Sequence, residues 1–144
     1  MNILQITISL FLVLESLNIL ILYTNPKSSK GNGVGIFNSI HSVEGTNPKD
    51  DLVRYLIRWV ANAKVIFVAL GIVIVIFGNE TIQLYTSIAF ALSILMYFVT
   101  LHPIIVKLDN EGEITPIGYS KTLAMMIVGF ILIFVVGIVV HLLT

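Results

Sequence analysis

Residues 65–99 read VIFVALGIVIVIFGNETIQLYTSIAFALSILMYFV, two apolar runs joined by Gly78-Asn79-Glu80. A helix that crosses a bilayer needs about 20 mainly apolar residues. Each run reaches that length once its flanks are added, giving expected helices over 48–77 and 81–106. A link this short makes the two helices antiparallel neighbours. Outward from this pair, two more apolar stretches occupy about 3–23 and 116–143. The expected fold is therefore an all-α integral membrane protein, an antiparallel four-transmembrane-helix bundle forming a single domain over 1–144.

Composition agrees. The chain is 57% hydrophobic and 11% charged, with a mean hydropathy of +1.00, where soluble domains average roughly 25% charged. In 144 residues, four spans leave little room for a soluble catalytic domain. The absence of cysteine excludes disulfides, thiol catalysis and Cys-ligated metal or iron-sulfur sites.

The zero net charge conceals a one-sided pattern. Lys27, Lys30, Lys49, Arg54, Arg58 and Lys64 fall between the first two apolar segments or where the second begins, and Lys107 and Lys121 fall between the third and fourth. Lys and Arg in short loops mark the cytoplasmic side, so both termini are expected outside, in the plasma membrane. The first segment has no preceding Lys or Arg and carries Glu15 and Asn18, which reads as a retained helix rather than a secretory leader.

Local signals set the helix ends. Asn25-Pro26 stops the first helix, because proline cannot continue the hydrogen-bond ladder and restricts the residue before it. Thr46-Asn47-Pro48-Lys49-Asp50-Asp51 supplies a cap, a proline at the first helical position and two acids for the helix amino terminus. His102-Pro103 predicts a kink or an early end in the third helix. Thr115-Pro116 suggests a second proline-led helix start, with Lys121 as the later alternative, and hints at two duplicated hairpins. In the first connection, Ile36, Phe37, Ile40 and Val43 have helical spacing; a short interfacial helix and an irregular loop with apolar anchors both fit. Gly129 and Gly137 lie eight apart on the last helix and predict close packing, within the bundle or along an oligomer seam.

Candidate chemistry lies toward the charged end. At ~1.5 Å per residue, Glu15 is roughly 15 Å from Asn25, Arg58 about as far from Pro48, and Tyr97 about as far from Lys107. An isolated charge in hydrocarbon costs at least ~2.5 kcal/mol, so Glu15 is expected to face inward and pair with Arg58, with Lys64 as the competing partner. The candidate ligand-binding set is Glu15, Asn18, Arg54, Arg58, Asn62, Lys64, Tyr97 and His102. A surplus of basic groups over Glu15 points to an anionic or amphipathic ligand. The competing reading is a structural lock between the first two helices.

Other motifs carry less. Gly31-Asn32-Gly33-Val34-Gly35 lacks the strand-loop-helix setting of a phosphate-binding loop and reads as a connector. His41, His102 and His141 are distributed over the loop and both ends of the helices, an arrangement unsuited to bis-histidine haem or a metal site. No cofactor, metal or nucleic acid is expected. The leading functional reading is non-enzymatic binding or transport of a small anionic or amphipathic ligand. The alternatives are an accessory or assembly subunit of a larger membrane complex and a lipid-modifying membrane enzyme with Glu15 as acid or base. Membrane lipids are the expected surroundings, with a homo-oligomer or a larger complex as further partners.

Overall fold

A computed structural model describes residues 1–30, 34–44 and 48–144, and every regular element among them is helical. In chain order these are α1 (Ile3–Thr24), α2 (Asn38–His41), α3 (Pro48–Phe77), α4 (Glu80–Leu95), α5 (Tyr97–Thr100), α6 (His102–Asn110) and α7 (Tyr119–Leu143), with a 3-10 turn at Val34–Ile36. Among the described residues, four stretches are long and apolar enough to cross a membrane: α1, α3, α4 through α6, and α7. The Gly31-Asn32-Gly33 and Thr46-Asn47 signals lie outside the described residues.

Several helix ends follow from local chemistry. Asn2 and Gln5 form a reciprocal cap on α1, the Asn2 side chain accepting from Gln5 N at 2.8 Å and the Gln5 side chain accepting from Asn2 N at 3.0 Å. Pro48 opens α3 with Asp50 and Asp51 in its first turn. Asn79 caps α4 by accepting from Ile82 N at 2.9 Å. The third span breaks after Leu95 and again at Leu101, with Pro103 at the start of α6. It continues to Asn110, four residues past the expected 106.

Pro116 does not start the last helix. Gly118 occupies the N-cap with φ +82° and α7 begins at Tyr119, a backbone state in which glycine avoids the Cβ clash. The caps come from Asp109, whose carboxylate accepts from Gly118 N at 2.8 Å and Ser120 N at 3.0 Å. The same residue helps close α6: Gly112 N donates to Asp109 O and Glu113 N to Leu108 O, the paired bonds of a Schellman ending. Proline thus opens α3 and precedes α7, so the two connections are built differently.

α1 is the central span. It packs against α3, α4 and α7 and buries 39% of its most apolar stretch, more than twice the share of any other span. Phe11 of α1 meets Phe67 of α3, Phe90 of α4, and Phe130 and Phe134 of α7 at ring-centroid distances of 5.2–5.9 Å. Phe67 and Phe90 approach to 4.7 Å. Close backbone approach supports this centre. A Cβ at Gly71 would lie 2.5 Å from Leu12 Cδ2, and one at Gly137 would lie 2.4 Å from Thr7 Oγ1. Gly137 therefore packs within the chain, whereas a Cβ at Gly129 would meet nothing within 4 Å.

A second core joins the two longer connections. Ile36, Tyr97, Ile105, Ile114 and Leu123 cluster together. Above them, Asn38 N donates to Glu113 O at 3.0 Å and Thr115 N to Ile36 O at 2.9 Å. Asn38 Nδ2 also reaches Gly112 O at 2.9 Å. Within the Ile36–Val43 segment the α-helix covers only Asn38–His41, and Ile36 is a buried anchor.

Candidate functional site

Glu15 and Asn18 lie one turn apart on the buried side of α1. Glu15 Oε2 accepts from Lys64 Nζ at 2.5 Å, both side chains being largely covered, at 18% and 24% exposure. The expected partner, Arg58, is exposed on α3. The reason is angular: Arg58 precedes Lys64 by six residues, roughly 120° around an α-helix. Lys64 lies on the side of α3 that carries Ala61, Val68 and Gly71, which packs against α1 through Leu12 and Gly71. The pair compensates each charge locally. Removing one member of such a pair is far costlier than replacing both with apolar groups.

Asn18 is 7% exposed, and neither its Oδ1 nor its Nδ2 has a hydrogen-bond partner. Buried amides are ordinarily satisfied. This one offers an acceptor and two donors within one turn of an ion pair. A group that satisfied this amide would have to carry both a donor and an acceptor, and the neighbouring ion pair is balanced in formal charge.

The other sequence-selected residues sit elsewhere. Arg54 is exposed and lies 3.8 Å from Asp51. Asn62 is exposed and accepts from Tyr23 Oη. Tyr97 is buried in the second core, with its Oη 3.5 Å from His102 Nδ1. The His102 ring packs against Tyr97 and Phe98 at 5.7 and 5.5 Å. The eight candidates therefore divide into an interior trio of Glu15, Asn18 and Lys64, an outward face of Arg54, Arg58 and Asn62, and a separate Tyr97–His102 contact.

The phenylalanine centre was missed by the sequence reading, although one signal was there. Phe67 is 11 residues before Gly78 and Phe90 is 11 after Asn79, so a tight hairpin places them opposite each other. At the far end, polar residues are occupied by structure. Gln83 Nε2 donates to Gly78 O at 2.8 Å while its Oε1 accepts from Asn2 Nδ2 at 2.8 Å, and Ser87 Oγ donates to Gln83 O at 2.9 Å. Among the described residues, no group of three or more His, Asp and Glu side chains could hold a metal ion.

No protein-family model matches the chain, and no curated protein or solved structure matches it.

Proposed function

We propose that this chain is a non-enzymatic membrane protein that binds a small amphipathic molecule, its polar group held by Asn18 beside the Glu15–Lys64 pair. The observation that carries the reading is the buried, unpartnered amide of Asn18. An orphaned buried amide is destabilising by roughly 1–3 kcal/mol, and a bound donor-acceptor group removes that penalty. Because Glu15 compensates Lys64 while Arg54 and Arg58 face outward, the interior favours an amphipathic ligand over a simple anion.

The same proposal includes topology. Leu12 with Gly71, Glu15 with Lys64 and Tyr23 with Asn62 pair in opposite chain directions, which supports an antiparallel four-helix bundle. The Lys and Arg placement supports a plasma-membrane orientation with both termini outside and the site reached from the cytoplasmic end.

The test is native mass spectrometry of the protein released from mild detergent, comparing wild type with Asn18→Leu and Arg58→Ala. The expected result is a small molecule retained by wild type and Arg58→Ala and absent from Asn18→Leu. Bare wild-type protein, together with an Asn18→Leu variant of higher Tm, would overturn the reading and leave Asn18 as an unsatisfied structural residue.

A further inference from the structure

A second feature lies where α1 ends and α3 begins, apart from Asn18 and the ion pair. Lys27 and Arg54, with Ile40, Val43, Val53 and Ile57, line a half-open groove of about 260 Å³. Ile57 is nine residues into α3, about 13 Å along the helix. The groove therefore runs from the polar connection onto the apolar part of the span. Its lining combines the charged Lys27, Glu44 and Arg54 with aliphatic side chains and Pro26, the two kinds of chemistry met on passing from a phospholipid headgroup to its acyl chains.

The cations are available. Arg54 touches Asp51 only at 3.8 Å, with both side chains more than half exposed, a surface pairing that contributes little. Lys27 Nζ donates to His41 O at 3.3 Å and has two further ammonium donors. Glu44 also lines the groove, so its charged lining of two cations and one acid retains a surplus of one positive charge. That surplus favours a headgroup of net negative charge over a zwitterionic one.

We propose that this groove is a headgroup site for an anionic phospholipid of the surrounding membrane, the phosphate on Lys27 and Arg54 and the first acyl carbons on Val53 and Ile57. The experiment is native mass spectrometry of delipidated protein given equimolar phosphatidylglycerol and phosphatidylcholine with the same acyl chains. Wild type should retain phosphatidylglycerol preferentially. The Lys27→Ala/Arg54→Ala double variant should lose that preference by up to about thirtyfold, the scale for two cations at an anionic surface. Lys30→Ala, an exposed position outside the groove, should keep it. Arg54→Gln, which removes the charge but keeps a polar side chain, gives the same comparison if the double variant does not fold. Equal retention of both lipids by wild type, or an undiminished preference in the folded groove variant, would overturn the proposal. Displacement of the lipid by inorganic phosphate would overturn it too, by making the groove a site for the free anion.

Discussion

Asp109, near the end of α6, and Ser120, in the first turn of α7, are joined twice: the Asp109 Oδ2 accepts from Ser120 N at 3.0 Å and from Ser120 Oγ at 2.5 Å. With Gly118 N on Oδ1, one carboxylate satisfies amides that a helix amino terminus leaves without intrahelical partners. Asp109→Ala should therefore lower the Tm in detergent, and Asp109→Asn should lower it less because its amide oxygen still accepts. Ser120→Ala, which leaves both backbone bonds, should cost least. The reverse order would show that the carboxylate does not hold this start.

The Glu15–Lys64 contact predicts a pattern of non-additivity. Glu15→Leu or Lys64→Met alone should destabilise by about 3 kcal/mol, since each strands a charge within a span, while the double variant should return close to wild type. Arg58→Ala should stay within about 0.5 kcal/mol of wild type, as expected of an exposed site. A double-mutant cycle in reversible detergent unfolding checks this; additive losses would mean that the two groups reach water separately.

The glycines of α7 should respond in opposite directions. Gly137→Ala places a Cβ against Thr7 Oγ1 and should cost about 1–3 kcal/mol through overpacking, with Thr7→Ala restoring part of it. Gly129→Ala meets open space and should be neutral or stabilising by up to ~1 kcal/mol from helix propensity. Thermal shifts of the three variants decide the matter.

Phe11 touches four other phenylalanine rings and is 5% exposed. Phe11→Ala should destabilise by about 3 kcal/mol, toward the lower end for buried aromatics, because lipid also solvates the rings of separated helices and only packing is lost. Phe11→Leu should lose less. An unchanged unfolding midpoint for Phe11→Ala would remove the aromatic centre from the stabilising contacts.

The proposed orientation is open to a direct test, because the chain has no cysteine. Ser29→Cys, in the exposed part of the first connection, should resist an impermeant thiol reagent in intact cells. A cysteine appended after Thr144 should react. The opposite labelling would invert the topology.

By itself the sequence determined what depends on neighbours along the chain. Its apolar runs marked four membrane-length helices, Gly78-Asn79-Glu80 marked the short link between α3 and α4, Pro48 with Asp50 and Asp51 marked the start of α3, and Pro103 marked the break in the third span. Glu15, Asn18 and Lys64 were also legible as polar groups at a depth where they need partners. Only the tertiary structure decided which partner each one meets. Arg58 and Lys64 are equally basic, but the rotation of α3 about its axis, set by Gly71 against Leu12, brings Lys64 to Glu15 and turns Arg58 outward. The cap on α7 comes from a side chain on the preceding helix, and the aromatic centre gathers one ring each from α1, α3 and α4 with two from α7. Hydropathy records how deep a residue lies, whereas the rotation of one helix against another is set by side-chain packing between segments far apart in sequence.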